Sequence, residues 1–312
     1  MSAAVAVIDI GSNSIKVLVV QRSRQGQLTA LKARTIEARI SAGISKQNPR
    51  LSDEGMNRGA EAIRELLADA RAFDPRETLL VATSAVRDAS NGADFRARLA
   101  AETGLQVRIL SGEEEANLIG RGLTCDPDLA HLRDFYLFDL GGGSLECLAF
   151  RDRRIAQGLS LPLGCVRLTE RFVSDPSRPF SREADRAVSE LVKEVVIKSG
   201  FHFNLPPGAA AVGTGGTLTT ARAILGARRG QSFEQSATLL TVTELRELLS
   251  YIGREPLEER RRLPAMPHGR ADVLPAALAT MIAVADVAGL HAYRNSVYNL
   301  RWGVAAQALD HA

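Results

Sequence analysis

One short pattern occurs twice in this chain. Asp9–Val20 reads DIGSNSIKVLVV and Asp139–Phe150 reads DLGGGSLECLAF. The copies align without a gap: Asp over Asp, Gly over Gly, Ser over Ser, Ile over Leu. Each follows an apolar run (AVAVI, FYLF) and leads into another. Apolar runs broken by a short glycine- and serine-bearing turn read as strand, turn, strand. A repeat of this length predicts two related lobes.

The 312 residues, 45% of them hydrophobic, are enough for two cores. After the first hairpin come a strand-like stretch (28–38), a helix capped by Ser52 or Asp53, a buried strand (TLLVATSAV), a helix ended by Gly104, the strand LQVRIL and a helix opened by SGEEEANLIGRG. After the second come the strand RRIAQGLSL, helices over RLTERFV and SREADRAVSELVKEVVIKSG, and a strand–turn–helix at GAAAVGTGGTLTTARAIL. Further helices are expected near TVTELRELLSYIG, LEERRRL and 271–290. Strands alternating with helices make an α/β protein. The expected division is 1–125, joined by a C-terminal helix over 298–312, and 126–297.

Several classes are excluded. A net charge of +3 is no argument for a nucleic-acid or membrane-surface partner. The start, MSAAVAVIDI, enters a strand directly and lacks a signal-peptide pattern. The apolar run 271–290 is interrupted by Asp272, Pro275 and Asp286, so it reads as a core helix. Cys125, Cys147 and Cys165, odd in number and without a CxxC, read as apolar filler in a reducing compartment. A cytoplasmic protein is expected.

The chemistry concentrates in the turns. Glycine lets backbone N–H groups converge on an anion. Gly141, Gly142, Gly143 and Ser144 suit that role, as do Gly11, Ser12, Asn13 and Ser14. A third turn, GTGGT, includes Gly215, Gly216 and Thr217 and precedes a helix, whose N-terminus favours anions. An ordinary tight turn accounts for any one of them; three together suit a chain of phosphates. Asp9 and Asp139 end apolar strands, where α/β sheets place ligands. A carboxylate facing phosphate calls for a cation between them, which points to Mg²⁺ bound partly through water, with Glu146 completing the set. Hydrogen bonding to their own turns is the plainer account of both aspartates. In SGEEEANL, a capping box explains Glu114 and the helix dipole explains Glu113, leaving Glu115. Three successive carboxylates should raise one another's proton affinity, and Glu115 is the candidate base for a water. Arg87 is a candidate phosphate ligand, or else an ion-pair partner of Asp88. Arg260, Arg261, Arg262, His268 and Arg270 read first as a solvated face balanced by Glu258 and Glu259, and second as a path for a long anion.

There is no GxxxxGK[ST], and strand–turn–strand with Asp-x-Gly is the pattern of actin-like ATPases and sugar kinases. In order, DIGSNSIK, TSAVRDASN, LSGEEEANLIGRG, DLGGGSLE, LPLGCVRLTERF, GTGGTLTTA and GRADVLPAAL resemble the motifs of the Ppx/GppA phosphatases, exopolyphosphatases and guanosine pentaphosphate phosphatases of the actin-like superfamily. The resemblance covers nearly the whole chain. It implies two duplicated actin-like (ribonuclease H-like) lobes with the active site in the cleft between them. It also implies Mg²⁺-dependent hydrolysis of a terminal phosphate of polyphosphate, or of the 5′ γ-phosphate of guanosine pentaphosphate. Residue by residue, it makes Glu115 the base, Asp139, Gly141 and Glu146 the metal site, and Arg87 and the three turns the phosphate site. A homodimer is expected on the same ground.

Two departures stand out. NLRWG (299–303) replaces the family's Gly-Leu-Arg-Glu-Gly, with Asn299 expected to take a left-handed backbone and Trp302 in place of a glutamate. The C-terminal helical domains of long members are not expected. An alarmone phosphatase, a kinase of the superfamily and a non-catalytic polyphosphate or alarmone sensor are the competing readings.

Overall fold

The structure is a computed structural model that describes residues 4–310. In chain order it runs β1 (Val5–Ile10), β2 (Ile15–Arg22), β3 (Leu28–Ile36), α1 (Asp53–Arg71), β4 (Glu77–Ala82), α2 (Ser84–Arg87), α3 (Gly92–Thr103), β5 (Val107–Ile109) and α4 (Gly112–Leu123). There follow β6 (Phe135–Leu140), β7 (Leu145–Arg151), β8 (Arg154–Leu161), α5 (Cys165–Phe172), α6 (Arg182–Lys198), β9 (Ala210–Thr214) and α7 (Gly215–Arg228). The chain ends with β10 (Leu239–Thr241), α8 (Val242–Gly253), α9 (Leu257–Arg261), α10 (Leu274–Ala288), β11 (Ala292–Asn295) and α11 (Leu300–Asp310). It divides into two compact units, Met1–His131 with Tyr298–Ala312, and Leu132–Val297.

The repeat seen in the sequence is a repeat of topology. The first sheet has the order β3-β2-β1-β4-β5 and the second β10-β11-β9-β6-β7-β8. In each, a hairpin (β1–β2, β6–β7) is extended by an antiparallel edge strand on one side and a parallel strand on the other. The central strands β1 and β6 are buried along their whole length, which is why they read as continuous apolar runs. The edge strand β3 is mostly part-exposed. This is the two-lobe, actin-like α/β architecture.

Local signals set the helix ends. Ser52 Oγ accepts from Gly55 N to start α1, and Asp53 and Glu54 sit in its first turn. Gly104 (φ 73°) and Gly289 (φ 64°) end α3 and α10 in the left-handed conformation. The run over 78–86 is not all strand: β4 stops at Ala82, and Thr83 begins the short helix α2. β10 and β11 were not legible as strands, being three and four residues long. α10 is buried on nearly all sides, and no helix among the described residues is long and apolar enough to cross a membrane.

In the first unit α11 packs against α4 through two glycines. A Cβ on Gly122 would lie 2.0 Å from the Asn299 carbonyl oxygen, and one on Gly303 would lie 1.8 Å from that of Leu118. Asn299 does not take the expected left-handed backbone; it is not among the residues of positive φ. Its carbonyl instead starts α11, accepting from Trp302 N and Gly303 N. Trp302 is buried and packs against Tyr298, the rings tilted at 33° with centroids 4.2 Å apart. Its ring fills the core of this unit. In the second unit Tyr136, Phe138, Phe203 and Tyr293 form an aromatic core cluster.

Candidate active site

The two hairpin turns close identically. Gly11 N donates to Ser14 O at 3.2 Å, and Gly141 N to Ser144 O at 3.0 Å. In both, neighbours occupy the carbonyl side of the turn. Ser41 Oγ donates to Ser12 O and Arg39 N to Asn13 O. Cys165 N donates to Gly141 O, and Val166 N and Arg167 N to Gly142 O. In a peptide unit the N–H points opposite its carbonyl. Anchoring these carbonyls therefore directs the amides that follow them away from the anchoring neighbours, the arrangement an anion-binding turn needs. Gly164, the cap of α5, allows this close seat: a Cβ there would lie 2.2 Å from the Gly143 backbone. Ser12 and Ser84 share a hydroxyl–hydroxyl hydrogen bond of 3.2 Å, so α2 also braces the first turn.

The third turn belongs to the second unit. β9 ends at Thr214 beside Asp139 in the parallel register, and the 14-residue α7 starts at Gly215. The hydroxyls of Thr214 and Thr217 are buried there without a hydrogen-bond partner. Buried hydroxyls are normally bonded, and these two lie beside a helix N-terminus, which favours an anion. Gly215 (φ 82°) sits on Asp139: a Cβ there would lie 2.2 Å from Oδ1. Gly215→Ala is therefore expected to cost about 1 kcal/mol or more and to move the Asp139 carboxylate. Thermal unfolding and Mg²⁺ dependence of phosphate release check the two effects.

Of the basic set, Arg270 lies beside the third turn, apart from the Glu258 and Glu259 pairs. Its guanidinium lies against Gly216, where a Cβ would meet Nη2 at 1.9 Å. A cation beside the positive end of a helix is favourable once an anion joins them. Nothing in the one-dimensional pattern pairs position 270 with position 216. The expected solvated face is corrected at Arg260. That side chain is only 2% exposed, because its guanidinium donates to the carbonyls of Ala271, Pro176 and Arg178 and stitches three segments together. Arg261 and Arg262 do pair with Glu258 and Glu259.

The carboxylates fall into two different settings. Asp139 and Glu146 face each other across β6–β7 and are both buried, with Ser160 Oγ donating to Glu146 Oε1 at 2.8 Å. Side chains directly opposite have Cβ atoms about 4.5–5.5 Å apart, and two buried carboxylates that close repel unless a cation joins them. The donor set fits Mg²⁺, which takes one or two carboxylates and completes its shell with water and phosphate oxygens. Among the described residues, no group of three or more His, Cys, Asp or Glu side chains is assembled to hold a metal alone. In the first hairpin, Asp9 faces Lys16 instead. The repeat thus places a fixed cation where the second copy has a carboxylate, and Asp9 lies in the other unit from Asp139 and Glu146. The Gly141 carbonyl accepts from Cys165 N and so is directed at α5.

Glu115 and Arg87, 28 positions apart, are brought together in the first unit. Ser111 and Glu114 form the capping box of α4, which fixes the first turn of that helix. Arg108 and the Ser111 amide hold the Glu114 carboxyl below its ordinary range, against the mutual repulsion expected of three carboxylates. Glu115 is thereby turned inward, its side chain 7% exposed, and Arg87 Nη1 donates to its Oε2 at 2.9 Å and to Leu110 O at 3.0 Å. Arg87 also approaches Asp88 at 3.4 Å. Arg87→Met leaves a buried carboxylate without this donor. It is expected to lower stability by about 1–3 kcal/mol, measurable as a lower urea midpoint with unchanged slope.

The comparisons agree with this architecture. The Ppx/GppA phosphatase family model matches residues 19–312. Among solved structures, an Aquifex aeolicus Ppx/GppA family member is 24% identical, with 100% of this chain and 99% of that one covered and a TM-score of 0.79. An exopolyphosphatase from Cytophaga hutchinsonii is 22% identical, with 99% and 98% covered and a TM-score of 0.84. An exopolyphosphatase-like protein is 23% identical, with 98% of each covered and a TM-score of 0.87. With the duplicated hairpins and the family model spanning all but the first strand and the start of the second, this chain belongs to the Ppx/GppA phosphatase family.

Proposed function

We propose that this phosphatase is an exopolyphosphatase: it removes the terminal phosphate of inorganic polyphosphate by attack of water, with Glu115 as the general base. The observation that carries the reading is Glu115 itself, a buried carboxylate set by the capping box of α4 and held by Arg87. Structure alone does not require a glutamate there, since Glu114 completes the cap.

Each remaining group has a role in this reading. Gly11, Ser12, Asn13 and Ser14, with Gly142, Gly143 and Ser144, bind phosphate oxygens through their backbone donor sides and hydroxyls. Gly215, Gly216 and Thr217 add the α7 N-terminus and Arg270 a guanidinium. Arg87 acts through Glu115, fixing its carboxylate. Asp139 and Glu146 would hold Mg²⁺, which when bound neutralises charge on phosphate oxygens. Phosphoryl transfer needs little covalent work from a protein, so positioning and electrostatics carry the rate.

The groups around the turns support polyphosphate over a nucleotide. They are hydroxyls, glycine amides and guanidiniums, from Ser41, Ser84, Arg39, Arg167 and Arg270. These recognise phosphate at any point along a chain. The large rings of Tyr136, Phe138, Tyr293 and Trp302 are buried in the two cores.

The test is phosphate release from long-chain polyphosphate and, separately, from guanosine pentaphosphate, each with Mg²⁺. Release from polyphosphate with the higher kcat/KM is the expected result. Release from the nucleotide alone makes the protein an alarmone phosphatase. Tight binding of either without release makes it a sensor.

A further inference from the structure

The duplicated turns share a feature that the gap-free repeat does not contain. The third residue of the first turn is Asn13 and that of the second is Gly143. Arg39 Nε donates to Asn13 Oδ1 at 3.1 Å, while its backbone N donates to Asn13 O at 2.9 Å. Arg167 Nε donates to Gly143 O at 3.0 Å. One arginine in each unit therefore grips the same turn position with the same side-chain atom. They come from different local structures: Arg39 lies three residues after β3 in a loop, and Arg167 lies in the first turn of α5, six residues after β8. Both are half-buried.

The backbone at Arg39 adds an independent observation. Its φ is 39°, in the left-handed region that glycine occupies without strain and arginine does not. Strain of this kind persists where surrounding contacts over-determine it, and here the two bonds from Arg39 to Asn13 do so.

We propose that Arg39 and Arg167 are matched positioning residues for polyphosphate. Arg167 clamps the acceptor side of its turn through Nε on Gly143 O, Arg39 holds its turn through its backbone N on Asn13 O and its Nε on the Asn13 side chain, and each adds a guanidinium charge beside the bound chain. The inference rests on the reading of these turns as phosphate sites. The planar guanidinium matters as well as the charge. A lysine supplies a point charge but no Nε–H at the same position on a rigid fork.

The experiment measures binding of inorganic tripolyphosphate by calorimetry, together with thermal unfolding, for wild type, Arg39→Gly, Arg39→Lys, Arg167→Gln and Arg167→Lys. Each substitution is expected to weaken tripolyphosphate binding by about 10–100-fold, the range for loss of a charge-assisted hydrogen bond. Arg39→Gly is expected to unfold at the wild-type temperature or above it, because glycine relieves the strain. A purely structural role predicts the reverse, a lower midpoint with affinity unchanged, and that result overturns the proposal. Lysine variants that bind like wild type overturn the clamp by leaving charge as the whole effect. If wild type binds tripolyphosphate without releasing phosphate from any substrate, and the variants lose that binding, the hydrolase reading fails and the clamp stands. Release that is normal in the variants sinks the clamp and leaves the hydrolase.

Discussion

Glu115→Gln is expected to lower kcat for phosphate release from long-chain polyphosphate by about 10²–10⁴-fold, the range a positioned general base contributes, with KM little changed. Glutamine is the informative replacement. It keeps the shape of the side chain and an acceptor for Arg87 Nη1, so the contact at 2.9 Å can persist. What it loses is the ability to take a proton. Alanine would confound the result by leaving Arg87 without that partner. The capping box is untouched, because Ser111 and Glu114 supply it, so the thermal midpoint should move little. A Glu115→Gln enzyme with wild-type kcat would remove Glu115 from the chemistry. The phosphate sites would stand, and the base would have to be sought elsewhere.

Gly303→Ala should destabilise the protein by about 1–3 kcal/mol or more, the cost of overpacking a close contact. The thermal midpoint is expected to fall by roughly 2–5 °C. The sign is the test, because glycine to alanine inside a helix ordinarily stabilises by about 1 kcal/mol. Here the added Cβ would lie 1.8 Å from the Leu118 carbonyl oxygen and force α11 away from α4. Gly122→Ala meets the same obstacle at the Asn299 carbonyl, 2.0 Å away. Gly253→Ala serves as the control. Its nearest neighbour would be the Phe180 Cβ at 3.8 Å, so it should be neutral or stabilising. Because α4 carries Glu115, activity should fall with stability in the first two variants and survive in the third. Gly303→Ala at the wild-type midpoint would mean that α4 and α11 can part without cost.

Much of the architecture is local in origin, and so was legible. Ser52, the Ser111–Glu114 box, Gly104 and Gly289 mark helix ends by hydrogen bonds and backbone freedom within a few residues. The hairpins are visible because a turn and its strands are contiguous. Failures occurred where a partner was distant. Arg260 reads as one more charge in ERRR, yet its partners are carbonyls at positions 176, 178 and 271. Asn299 was expected to copy a glycine's backbone, but packing at Gly122 gave it another role.

The repeat of Asp-x-Gly turns, the α/β class and the isolation of Glu115 from its capping neighbours were determined by the sequence alone, since each depends on residues adjacent in the chain. Three things were decided only by tertiary structure: Arg87 against Glu115, Arg270 against Gly216, and the arginines that grip position three of each turn. A guanidinium reaches several ångströms from its backbone and donates in several directions. Which acceptor it meets is therefore fixed by how strands and helices pack, and a one-dimensional pattern carries no record of that.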